Sequence, residues 1–279
     1  MIGAELAKQA RRLRGWVTLA AMAAIPAVLT LVVGTTRPAL AERVGDWGSV
    51  VTDSSGLTLP LISLSAMLLF MLPLAVAVFA GECVAGETAW GSLRYLLARP
   101  VARGRVLAAK AAVAAGYSLA AVLIVVLVAT LTGALAFGVH PLTVLDLQHT
   151  TPFIVASTKL SPLSAIARLG LASAFVSAGL SSTFAFGLLL STLTARPFSA
   201  VAGAVGLGLV SRALDNVPGL HALSPWLPVT DEASNLWTGF FLNPMQTAGV
   251  GHALLVQALY TSAFALAAVW WFTRADVLG

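Results

Sequence analysis

Apolar residues in this chain come in long unbroken runs rather than in the two-residue alternation or one-sided stripe of water-soluble elements. Stretches free of Asp, Glu, Lys and Arg cover residues 15–36, 54–81, 111–145, 169–195, 197–211 and 233–273. A helix needs about 20 apolar residues to cross a hydrocarbon core about 30 Å thick. Around these runs the sequence predicts helices over about 16–34, 57–80, 106–138, 163–193, 197–214 and 250–272. The fold expected is an all-α integral membrane protein, a single transmembrane domain over residues 1–279 with six spanning helices.

Local features refine that plan. Pro73 lacks an N–H and is expected to kink the second helix. Gly170, Ala174 and Ala178 put small residues on one face of the fourth, a surface suited to close helix contact. The fifth is the shortest and carries Gly203, Gly206 and Gly208, with Arg212 and Asp215 spaced to pair near its end. Because Thr194, Ala195, Arg196 and Pro197 make a credible short turn, it is read as a full crossing rather than a re-entrant loop.

In the long connection after it, Ala233, Leu236, Trp237, Phe240 and Phe241 share one helical face behind Asp231 and Glu232. That predicts an outer interfacial helix over about 231–241, with Trp226 and Trp237 at headgroup depth.

The N-terminus needs a separate decision. A basic start, an apolar run and Ala39-Leu40-Ala41 imitate a cleaved signal peptide. The run of about 18 residues exceeds the roughly 7 to 15 of a signal core, so it is read as the first spanning helix. Ahead of it, Ile2, Leu6 and Leu13 among Lys8, Arg11, Arg12 and Arg14 suit a basic amphipathic helix on the inner membrane surface.

Composition agrees: 58% of the 279 residues are hydrophobic and 10% charged, where a soluble domain carries about 25% charged. A net charge of +5 would suggest nucleic acid in a soluble protein, but basic residues also hold membrane loops in the cytoplasm. With six crossings and both termini inside, eleven Lys and Arg fall on the cytoplasmic side and five (Arg37, Arg43, Lys159, Arg168, Arg212) outside. The expected location is a bacterial plasma membrane with cytoplasmic N- and C-termini.

Cofactor chemistry finds little support. Cys83 stands alone, and His140, His149, His221 and His252 are scattered, so no metal site and no bound cofactor are expected.

Residues 81–110 are the one long, highly charged cytoplasmic segment, joining helices 2 and 3. Leu93, Leu96 and Leu97 form a helical apolar face, Arg94 projects from another side, and Arg99-Pro100 ends the helix. A short amphipathic helix across the base of a bundle suits the transmission of force.

Here the chain resembles the permease subunits of ATP-binding-cassette exporters with the type V fold. Those proteins carry a glutamate-containing stretch after helix 2, then a pattern like G-S/T-L-x-x-L-L-x-x-P-V/I-x-R, then helix 3. Glu87, Gly91, Ser92, Leu93, Leu96, Leu97, Pro100, Val101, Arg103 and Lys110 fit it. The resemblance is specific over about 30 residues and extends loosely to the six-helix plan.

It implies that segment 81–105 is a coupling helix docking into a cytoplasmic ATP-binding-cassette ATPase subunit, with a second permease chain, identical or related, completing the path. Glu87, Arg94, Arg99 and Arg103 are then the candidate ATPase contacts, and Gly91, Leu93, Leu96, Leu97 and Pro100 shape the coupling helix. Glu82 is a candidate polar contact where helix 2 meets that segment.

The chain lacks a G-x-x-x-x-G-K-S/T phosphate loop, so ATP and magnesium are expected on the partner and hydrolysis is not expected from this chain alone. Ion-coupled carriers place ionisable groups at mid-membrane, and the centres of these spans hold Ser, Thr, Gly and Pro instead. An ion-coupled carrier, an intramembrane enzyme, and a subunit that transmits force without moving a substrate remain alternatives. A hydrophobic or amphipathic substrate fits the apolar walls best.

Overall fold

The computed structural model describes residues 2–43, 55–89, 91, 102–146, 156–217, 219–220 and 222–274. Six of its helical segments are long and apolar enough to cross a membrane: Leu13–Thr35, Met71–Ala89, Arg103–Phe137, Pro162–Leu193, Pro197–Asp215 and Val250–Arg274. The protein is an all-α integral membrane protein.

A nine-residue helix, α1 (Ile2–Ala10), precedes α2 (Leu13–Arg43), which contains the first span. The expected second helix is interrupted rather than bent. It forms α3 (Thr58–Leu69) and α4 (Met71–Ala89), with Phe70 between them at φ −144° and ψ −45°. Pro73 explains the break: it has no N–H for the Leu69 carbonyl, and its ring crowds the preceding turn.

The third span, α5 (Arg103–Phe137), ends at Gly138 with φ +75°, a conformation that favours glycine. The Gly138 carbonyl then accepts the Gly56 N–H at 3.0 Å. Gly56 and Gly133 approach so closely that a Cβ on either meets backbone of the other at 2.2 Å.

After α5 comes a hairpin that the apolar pattern did not reveal, β1 (Leu142–Asp146) antiparallel to β2 (Ala156–Leu160). Leu142 pairs with Leu160 and both are buried in the core. The fourth span is α6 (Pro162–Gly179) and α7 (Ser181–Leu193). Leu180 keeps it continuous by donating to Val176 O and accepting from Phe184 N, both at 3.0 Å.

The fifth span, α8 (Pro197–Asp215), is one helix of 19 residues, about 28 Å at 1.5 Å per residue. The last, α10 (Val250–Arg274), packs on α7. At the centre α4 contacts α7, α8 and α5, and α5 contacts α2 and α3.

Close helix contact does not fall where the small-residue spacing placed it. Gly170 and Ala174 are exposed, and a Cβ added at Gly170 meets nothing within 4 Å. Tight contacts lie instead at Gly81 against Val201 and at Gly187 against Ala80 and Ala204.

The expected interfacial helix over 231–241 also differs. It is a five-residue α9 (Asp231–Asn235) continuing as a 3-10 turn (Leu236–Phe241). Trp237 and Phe241 are completely buried in the protein core, whereas Trp226 is 54% exposed. Arg168, at the start of α6, donates to the Phe240 and Leu242 carbonyls at 2.9 and 2.8 Å, which holds this turn inward.

Candidate functional site

At the end of the bundle that carries the N-terminus, five charged side chains from four parts of the chain converge. Glu87, in the last turn of α4, is 1% exposed. Lys110, in the second turn of α5 and 3% exposed, places Nζ 2.7 Å from Glu87 Oε1 and 2.9 Å from Glu5 Oε1 of α1. Lys8 Nζ bonds to the same Glu87 oxygen, and Arg12 Nη2 lies 3.7 Å from it.

Nearby, Arg14 Nη1 reaches Glu82 Oε1 at 3.1 Å with the arginine 67% exposed. An exposed pair of that kind contributes little to stability, between zero and about 1 kcal/mol. The buried cluster obeys a different rule: assembling it costs desolvation, and removing one partner strands a charge.

Local sequence sets up each arm. In α1, Glu5 lies in the first turn and Lys8 in the last, the arrangement that complements the helix dipole. Trp16 Nε1 then donates to the Ala10 carbonyl at 2.7 Å, tying the open end of α1 to the first turn of α2. Further into the bundle, Ser191 Oγ of α7 accepts from both Val84 N and Ala85 N at 2.9 Å, fixing the last turns of α4.

The cluster's depth follows from α5. Lys110 and Gly133 are 23 residues apart, about 34 Å at 1.5 Å per residue, close to a hydrocarbon thickness of about 30 Å. The charged cluster and the Gly56–Gly133 contact therefore lie about one hydrocarbon thickness apart along α5.

Each sequence-derived candidate has a definite outcome. Glu87 is buried and faces inward onto Lys110, Lys8 and Arg12 rather than out toward a partner. Glu82 makes its polar contact with Arg14 of the N-terminal region. Gly91 is exposed at φ +67° and donates to Thr88 O at 3.0 Å, closing α4. Arg103 begins α5 and is half-buried. Arg94, Arg99, Leu93, Leu96, Leu97 and Pro100 lie outside the described residues.

Glu5, Lys8 and Arg12 were not singled out by sequence reasoning, which read the N-terminal charges as a membrane-surface helix. The available signal was Lys110, which heads an apolar run and so requires a buried counter-charge. Among the described residues no three His, Cys, Asp or Glu side chains gather in a metal-binding arrangement.

Residues 47–278, most of the chain, match the family model described as "Protein of unknown function (DUF2705)". The chain belongs to the DUF2705 family. No curated protein matches it. The DUF2705 match takes in Glu82, Glu87 and Lys110, whereas Glu5, Lys8, Arg12 and Arg14 come from the N-terminal segment before it.

Proposed function

We propose that this chain is the membrane-spanning permease subunit of an ATP-driven exporter. It couples ATP hydrolysis on a separate cytoplasmic ATPase subunit to movement of a hydrophobic or amphipathic substrate, with a second permease chain completing the path. The membrane is a bacterial plasma membrane, and both termini are cytoplasmic.

One observation carries this reading. The Glu87–Lys110 ion pair bridges the end of α4 and the start of α5, the two helices that flank segment 90–101, and Lys8 and Glu5 extend the same bond network to α1. A force applied to that segment would reach three helices at once through hydrogen-bonded charges, which are short and directional. Such an arrangement suits a coupling element more than a loop that only fixes topology.

The spans favour an external energy source. Between Ala111 and Phe137, and across residues 169–193 and 197–211, the helices carry no Asp, Glu, Lys, Arg or His. An ion-driven carrier would need such groups near mid-membrane.

Photo-crosslinking tests the proposal. A photoreactive amino acid at Arg94, introduced in the native host, is expected to capture a cytoplasmic protein carrying a phosphate loop. Crosslinks confined to lipid or to a second copy of this chain would overturn the docking role.

A further inference from the structure

We propose that the cavity between the α3–α4 break, α6, α8 and α10 is a binding site for a lipid-phase amphiphile, an alkyl body bearing a hydroxyl or amide donor. It deepens the exporter reading by assigning the class of molecule carried, and the role of that molecule as cargo rests on that reading.

The cavity lies in the half of the bundle away from the charged cluster. On α8 its wall runs from Ala204 to Arg212, about 12 Å at 1.5 Å per residue. Most of the lining is apolar, with Phe70, Phe175, Val176 and Leu209 prominent. Such walls, at membrane depth, favour an alkyl occupant drawn from the bilayer over a solute from water.

One side-chain oxygen specifies what the occupant must bring. Gln257 lines the cavity and is 9% exposed; its Nε2 donates to the Pro228 carbonyl, which fixes the amide's orientation, and its Oε1 accepts no hydrogen bond. In hydrocarbon no water is at hand to satisfy such acceptors, and each unsatisfied one is costly. An O–H or N–H on the occupant supplies the missing donor, while a pure hydrocarbon leaves Gln257 Oε1 unmet.

The test uses the purified full chain in nanodiscs and two photoreactive probes: a long-chain alcohol with a mid-chain diazirine, and the matched alkane without the hydroxyl. The alcohol is expected to label the cavity walls on α6 and α8 saturably, with excess unlabelled hexadecanol competing and hexadecane not. Gln257→Leu is expected to weaken the saturable alcohol labelling about five-fold, the worth of one net hydrogen bond, and to leave alkane labelling unchanged.

Gly208→Leu and Gly179→Leu, at two lining glycines where an added Cβ meets nothing within 4 Å, are expected to block the site. Equal and unsaturable labelling by both probes, or alcohol labelling unaffected by both glycine variants, would overturn the proposal. Neither readout involves an ATPase, so failure here leaves the exporter reading standing. Specific labelling of a chain that captures no ATPase would instead keep the site and remove its role in export.

Discussion

At the scale of single residues, the pair formed by Glu87 and Lys110 dominates. Both side chains are almost fully enclosed, at 1% and 2% exposure, and are 2.7 Å apart. Glu87→Met leaves Lys110, Lys8 and Arg12 facing Glu5 alone, and loss of one partner of a buried pair costs about 3–5 kcal/mol. The thermal unfolding midpoint of the purified chain should fall sharply for Glu87→Met and for Lys110→Met. The double variant should lose clearly less than the sum of the two, because the Glu87–Lys110 pair is lost only once and neither of its buried members is left facing the other's absence. Arg14→Ala, which removes an exposed arginine from its pair with Glu82, should change the midpoint little. Additive losses would mean that the two side chains do not act as a unit.

Much of this cluster was hidden in the sequence for a simple reason. Lys8 and Glu87 are separated by 79 positions and Glu5 and Lys110 by 105, and apolar periodicity carries no information about such pairings. What was readable was the need: Lys110 heads a long apolar run, and a charge there requires a partner.

At the scale of elements, the spans were legible because the bilayer imposes a minimum length that only a few stretches meet, and α8 and α10 begin at the residues where the sequence predicts them. Pro73 announced a disturbance, and the structure has a full break at Phe70 where the sequence predicts a kink. The segment after α8 was misjudged because one-sided apolar spacing suits a membrane surface and a protein core equally. The deciding group is Arg168, 72 positions from Phe240, whose guanidinium accounts for two carbonyls of the 3-10 turn. Arg168→Met should therefore loosen that turn, leaving the helices in place. Limited proteolysis should cut within 236–249 several times faster in the variant; unchanged cleavage would show that Trp237 and Phe241 hold the turn without it.

The α1 elbow belongs to the same scale. Ile2 and Leu6 of α1 are 57% and 51% exposed, while Glu5 and Lys8 reach inward to Lys110 and Glu87. An amphipathic helix with its charges anchored in the bundle and its apolar side free is suited to lie in the membrane boundary. The expectation of a surface helix thus acquires a second attachment through its ion pairs.

For the whole molecule, the topology we propose, with six crossings and both termini in the cytoplasm, agrees with an eleven-to-five division of basic residues between its two sides. With Cys83 replaced by Ala, a cysteine at Gly3 should react with a membrane-impermeant thiol reagent only in inverted vesicles. A cysteine at Leu223, 55% exposed at the opposite end, should react only in intact cells. The reverse pattern would invert the orientation and place segment 90–101 outside the cell.

The most direct test of the account is to purify the tagged chain from its native membrane in mild detergent and assay the preparation for Mg-ATP hydrolysis. A co-purifying ATPase subunit and Mg-ATP hydrolysis are expected, both lost with Arg94→Glu. Recovery of the chain alone, with no ATP hydrolysis, would contradict it.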